Sequence, residues 1–152
     1  MSRVLTFMMG EFSAEFPTDR LYAKNHMWAS FDADVNSYRF GFAAYAVRLL
    51  QDVYFLDWSS DAPFTVQEGQ EIGSIESKKA ESSLYAPTSG NLCEFNQDVL
   101  ADPALINVSP YDQGWLFRVE GHTDVLLEPS QYMEHLDAVW EVTQRTIKGQ
   151  LN

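Results

Sequence analysis

What most constrains this chain is its punctuation. From Leu21 onward, short β-prone runs alternate with turn residues, and only the last segment is long enough for an extended helix. The runs "FTVQEGQEIGSIES" and "ESSLYAPTSGNLCEFN" are rich in Ile, Val, Leu and Tyr and are broken by Gly69, Gly73, Pro87 and Gly90. Branched and aromatic side chains fit a pleated, half-buried surface. With turn signals at a spacing of roughly eight to twelve residues they predict a small β-sandwich or barrel.

The rest of the chain fits that frame. "LYAK" and "MWASF" flank Asn25-His26, and "VNSYRFGF" follows the turn-like Asp32-Ala33-Asp34. "AAYAVRLLQ" predicts a short helix, because Tyr45, Leu49 and Leu50 recur at helical spacing. "DVYFLDW" and "GWLFRVEG" read as strands, and "QDVLADPALIN" as one brief helical insert. A final helix is expected from about Pro129 to Lys148, with Tyr132, Leu136, Val139, Trp140, Thr143 and Ile147 on one face and Gly149 placed to stop it. Residues 1–20 read as an N-terminal arm of little order, and the similar length of the two strand-rich halves suggests a two-fold-related pair of sheets. The fold class is mainly β, with a short internal helix and a C-terminal helix packed on the same domain.

Charge narrows the choice of partners. Ten basic against 22 acidic residues leave a net charge of −12. Such a surface repels phosphate, so neither nucleic acid nor an anionic membrane is an expected partner. The single cysteine, Cys93, excludes an internal disulfide and a cysteine-cluster metal site, and no metal-binding spacing occurs. No apolar run approaches the ~18 residues of a membrane span, and "MSRVLTFMMGE" has too short an apolar core for a secretory signal. A cytoplasmic location is expected. His26, His122 and His135 have no nucleophile-triad signature around them, so no catalytic residue is assigned.

One element carries chemistry. Two of only four lysines, Lys78 and Lys79, stand side by side in "GSIESKKAESSLYAP". Lys79 lies near the midpoint between Gly69 and Gly90, where strand, turn and strand would hold one side chain at a fixed apex. From the turn alone, the pair could simply solvate a hairpin tip or offer a primary amine for acylation.

The wider context resembles the glycine cleavage system H-protein family, whose lipoyl site reads Glu-Ser-Val-Lys-Ala. The resemblance runs from about Tyr22 to Glu120. "NHMW" stands against the usual His-Glu-Trp, "GFAAYA" against Gly-Ile-Thr-Asp-Tyr-Ala, and "YAPTSG" against Tyr-Ser-Pro-Val-Ser-Gly. Pro110-Tyr111 and Gly114-Trp115 match as well. The resemblance implies a flattened lipoyl-type barrel-sandwich hybrid over residues 21–122, with residues 123–152 packed on it. It implies lipoate amide-linked to Lys79, flanked by Glu76, Ser77, Lys78 and Ala80. It further implies a non-catalytic carrier that serves as substrate for its partners. Those partners are a lipoate ligase or lipoate-assembly enzymes, dihydrolipoamide dehydrogenase, and the enzymes that load and unload the arm. The biotinyl relatives carry Met-Lys-Met at the tip, which this chain lacks.

Departures from the pattern fall where a loaded arm would rest. Met27 replaces the acid of His-Glu-Trp, Ala43-Ala44 replace Thr-Asp, and Ser83 replaces the aspartate that follows the lysine. With His26, the residues Met27, Ala44 and Ser83 are expected to form a neutral arm groove, suited to an uncharged or sulfur-bearing cargo rather than a cationic aminomethyl. Phe16-Pro17-Thr18-Asp19, His26-Met27-Trp28-Ala29 and Ala44-Tyr45-Ala46 resemble an H-like branch of lipoate-binding proteins from bacterial sulfur oxidation, which work with a heterodisulfide-reductase-like complex. Sulfur oxidation is therefore the first expectation, glycine cleavage the alternative, and an unlipoylated scaffold protein a further one.

Overall fold

The computed structural model describes residues 3–151, with side chains described through Gln144. Its strands fall into three antiparallel sheets. Strands β1 (Val4–Met9) and β2 (Phe12–Pro17) form a hairpin of their own. Six strands follow in the order β3-β4-β5-β11-β10-β7: Leu21–Tyr22, Met27–Asp32, Ser37–Phe42, Phe117–Gly121, Gly90–Phe95 and Phe64–Val66. The third sheet has the order β6-β8-β9: Val53–Trp58, Glu71–Ser77 and Glu81–Tyr85. The sheets do not close into a barrel, so the architecture is the sandwich-like form of the expected class. Six strands against three also replace the expected matched pair.

Among the described residues, four helices connect and cover the sheets: α1 (Ala44–Leu50), α2 (Gln97–Ala101), α3 (Leu105–Val108) and α4 (Pro129–Leu151). The expected single insert is two helices, because Pro103 cannot extend α2 and the chain restarts after it. Asn96 caps α2, its Oδ1 accepting from the Asp98 amide at 3.1 Å. Pro129 opens α4 as expected, but the helix runs through Gly149 instead of stopping there. The side chain of Ile147 lies outside the described residues. Among the described residues no helix is long and apolar enough to cross a membrane.

Two apolar clusters hold these pieces. Between the six- and three-stranded sheets lie Phe40, Leu56, Ile72, Ile75, Leu92, Phe117 and Val119. The second cluster joins both ends of the chain. Phe7, Ala14 and Phe16 of the first hairpin meet Trp28, Tyr45, Tyr132 and Leu136. Tyr132 stacks on Tyr22 with ring centroids 4.7 Å apart and meets Phe16 edge-on at 5.3 Å. Each such buried aromatic contributes about 1.5–3 kcal/mol. Polar tips find partners: Trp28 Nε1 donates to Pro110 O at 2.8 Å, and the Tyr111 hydroxyl donates to Glu15 O at 2.7 Å while accepting from the Ala44 amide at 2.8 Å. Trp28 leaves no room beside Gly41, where a Cβ would stand 2.6 Å from the indole ring. The N-terminal residues expected as an arm of little order are thus a packed hairpin.

Candidate functional site

The lysine tip is held by an unusual clasp. Strands β8 and β9 pair with Glu76 opposite Glu81, leaving Ser77 to Ala80 to make the turn. The Ser77 amide donates to Ala80 O at 2.8 Å. The return bond goes to a side chain instead of the backbone, because the Ala80 amide donates to Ser77 Oγ at 3.2 Å. Ser77 is buried although it sits next to the tip, since its hydroxyl stands in for a backbone carbonyl. Two-residue hairpin loops usually require left-handed residues. The left-handed non-glycine positions among the described residues are His26, Asn36 and Gln51, none of them in this turn. A third tie comes from outside the hairpin, where the Lys78 amide donates to Asp52 O at 2.8 Å. Lys78 and Lys79 are both exposed on this clamped apex.

Below the apex lies an apolar groove of about 250 Å³. Its walls come from Met27 and Phe42, which face each other across β4 and β5, from Ala46, Leu49 and Leu50 of α1, and from Ile75, Ser82, Ser83, Leu84 and Tyr85 of the lysine hairpin. Asn25 and His26 close one end. At ~3.3 Å per residue along a strand, Ser82 and Ser83 lie about 10–13 Å below Lys79. An acylated lysine arm can fold back over that span. The groove's apolar walls fit a hydrocarbon chain ending in a small sulfur ring, so the residues present suit a lipoyl group. A larger open cleft, about 670 Å³ around Thr88, Ser89 and residues 121–125, has no hairpin residue in its walls.

His26, Met27 and Ser83 come together in the groove as expected, but Ala44 does not. Ala44 borders a separate cleft with Ser13, Val47 and Arg48. Helical phase explains this: at 100° per residue, Ala44 is turned by about 200° from Ala46, whose face includes Leu49 and Leu50. Of the groove residues that sequence reasoning missed, Ala46, Leu49 and Leu50 had a visible signal in their i, i+3, i+4 spacing. Among the described residues no carboxylate lines the groove. One stands just behind it, since Ser83 Oγ donates to Glu71 Oε1 at 2.9 Å.

His26 has a left-handed backbone, φ 70°, and a half-buried ring. The ring stacks on Tyr45 at 4.4 Å, and Nδ1 shares a 2.8 Å hydrogen bond with the Tyr132 hydroxyl. Burial, with the neighbouring His135 adding to it, pushes the imidazole down to about 4. His26 is therefore neutral near pH 7. Burial also holds the Tyr45 and Tyr132 hydroxyls in their protonated forms, so this end of the groove carries no charge.

Sequence comparison places this geometry in a family. Residues 20–139 match the glycine cleavage H-protein family model. The chain belongs to the glycine cleavage H-protein family. The H protein of Rubrobacter xylanophilus is 37% identical over 125 residues, covering 82% of this chain and 97% of the relative. Mitochondrial H protein 2 of Arabidopsis thaliana is 34% identical over 125 residues, covering 80% and 78%. The crystal structure of the Mycobacterium marinum H protein superposes with a TM-score of 0.67 at 35% identity, covering 77% of this chain and 95% of that one. The resemblance read from the sequence motifs, to a family of lipoate carriers, thus holds. Hairpin β1–β2 precedes the matched residues, so this packed element is an addition to the part the family model describes.

Proposed function

We propose that the chain is a lipoyl carrier modified on Lys79 that shuttles aminomethyl from a glycine decarboxylase to a folate-dependent transferase. One observation carries the reading: Lys79 stands exposed on a clamped apex whose own strands wall an apolar groove. In attachment, the Lys79 amine attacks an activated lipoyl carbonyl. An amide bond forms, the activating group leaves with its electron pair, and the amine's proton passes to solvent. Acylation removes the lysine charge and lengthens the arm, which allows it to lie on apolar walls. The bound group would supply a strained disulfide able to accept a transferred group together with two electrons.

The chain's own residues hold and shield. Met27, Phe42, Leu49 and Ile75 exclude water from a resting arm, and neutral His26 adds no charge that would repel a cationic cargo. Glu71, bonded to Ser83, brings a carboxylate to the outer wall, where a cation would gain from it. No group in the groove is set up to transform the cargo, so the protein acts as a substrate of its partners. These are the decarboxylase and transferase, a ligase or lipoate-assembly enzymes, and dihydrolipoamide dehydrogenase.

A second reading rests on the groove's acid-free lining: a sulfur-linked cargo passed to a heterodisulfide-reductase-like complex. The named relatives support the first reading and none is a sulfur-oxidation protein. Lipoylated protein incubated with a glycine decarboxylase, pyridoxal phosphate and carboxyl- and methylene-labelled glycine distinguishes them. Methylene label on the protein is the expected result. A protein that cycles with dihydrolipoamide dehydrogenase yet takes no label would reject glycine cleavage in favour of the sulfur cargo.

A further inference from the structure

Strand β6 breaks its alternation beside the lysine tip. Val53 pairs with Ser77 and Phe55 with Glu76, so Tyr54 is an extra residue at a bulge. Val53 and Leu56 point inward, while Tyr54 and Phe55 both turn out, 61% and 44% exposed. Scattered exposed apolar residues are ordinary. Two consecutive aromatics re-aimed by a bulge on an edge strand are a different matter, since bulges recur where a sheet edge is shaped for a purpose. They also lie next to the apex, because Asp52, two residues before Tyr54, accepts the Lys78 amide.

Charge surrounds the pair. Asp52 just before β6 and Asp57 on it flank the pair, and the row Phe55–Glu76–Glu81 runs across the outer face of the three strands. Glu76 and Glu81 are directly opposed, an arrangement that costs stability in a sheet. The ion pairs of the described residues involve Arg20 with Asp19 and Arg118 with Asp32 and Glu94, so none neutralises these acids. The surface is two aromatic anchors in an acidic frame, tied through Asp52 to Lys78, the neighbour of the residue that must enter a partner's site.

We infer that Tyr54 and Phe55, framed by Asp52, Glu76 and Glu81, dock the enzyme that attaches the lipoyl group, through an apolar recess rimmed by Lys and Arg. The inference rests on Lys79 being the modified residue. Continuity selects this occupant: an enzyme that acylates Lys79 must approach its neighbour Lys78, whose amide is held by Asp52 at the start of β6, and so comes over β6 as well. A second copy of this chain is the poorer match, because it carries the same acids and a net charge of −12. Strand addition is also disfavoured, since the bulge interrupts the edge. Aromatic anchors would carry the affinity, and the acids would steer the encounter and make it sensitive to salt.

The test uses full-length unlipoylated protein, a purified lipoate–protein ligase, ATP and lipoate, with product read by intact mass. The double variant Tyr54→Ala/Phe55→Ala is expected to raise the ligase's KM about tenfold or more with little change in kcat. Phe31→Ala, an exposed aromatic elsewhere, should behave as wild type. Thermal melting of the double variant within a few degrees of wild type shows that folding is intact, and Tyr54→Phe/Phe55→Leu should restore most of the loss. Wild-type KM in the double variant, with Lys79 still modified, overturns the docking surface alone. Failure of the wild type to acquire the group on Lys79 overturns the surface and the carrier reading together. A concentration-dependent dimer that the double variant abolishes assigns the patch to a second copy and also overturns the proposal.

Discussion

Hairpins β1–β2 and β8–β9 are the same motif put to opposite uses. The first turns at Gly10, whose φ of 66° and open surroundings let the backbone reverse without help. Its alternate residues Phe7, Met9, Ala14 and Phe16 are all buried against the C-terminal helix and α1. The second has no glycine at its tip. It reverses through the Ser77 hydroxyl and is tied to Asp52, and its tip residues point into solvent. Where glycine relaxes the turn, the strands do the binding and the tip has no task. Where a side chain clamps the turn, the tip is the part on display.

The largest test of this contrast removes the first hairpin's anchor. Tyr132→Ala takes away the stack on Tyr22, the edge contact with Phe16 and the bond to His26, and should cost about 3–5 kcal/mol in urea unfolding. Hydrogen exchange should quicken in β1–β2 and leave β8–β9 protected. Uniform quickening would show that the two hairpins share one cooperative unit.

Acid should loosen the same region. His26 stays neutral in the fold down to about 4, whereas in the unfolded chain it protonates near the ordinary 6.5. The unfolded state therefore binds the proton first, and stability falls as pH drops from about 6.5 toward 4, by roughly 2–3 kcal/mol. The groups around this ring are His135, Tyr45 and Tyr132, none of them an acid that could offset its charge. His26→Asn, which tolerates the left-handed backbone, should flatten the drop relative to wild type. An equally steep curve would assign the acid loss to other groups.

The smallest effect on stability belongs to the clasp. Ser77→Ala leaves the Ala80 amide without its partner and should cost about 1 kcal/mol. Lipoylation of Lys79 should slow several-fold in the same variant, because the apex is no longer fixed. Unchanged modification kinetics would mean that the clasp serves packing alone.

These differences also explain what could be read in the sequence. The lysine apex was legible because its determinants are local: Gly69, Gly90 and the strands between them. The start of α4 at Pro129 and the position of α1 were legible for the same reason. Hairpin β1–β2 carried a period-two signal in Phe7, Met9, Ala14 and Phe16, yet its burial depends on Tyr132 and Leu136, more than a hundred residues away. Without that partner face its strands read as an arm. Of the motif residues, His26, Met27 and Ser83 line the groove, whereas Ala44 lies on another cleft because membership of a motif does not fix the phase of a helix. Tyr54 and Phe55 were hidden by the bulge, since strict alternation would send one of them inward.

A lipoyl carrier of this kind needs Lys79 to be the residue that holds the arm. Protein coexpressed with a lipoate ligase and digested for peptide mass mapping tests this directly. One added lipoyl group on Lys79, lost in Lys79→Arg, is the predicted result. A group on Lys78, or its persistence in Lys79→Arg, would contradict it.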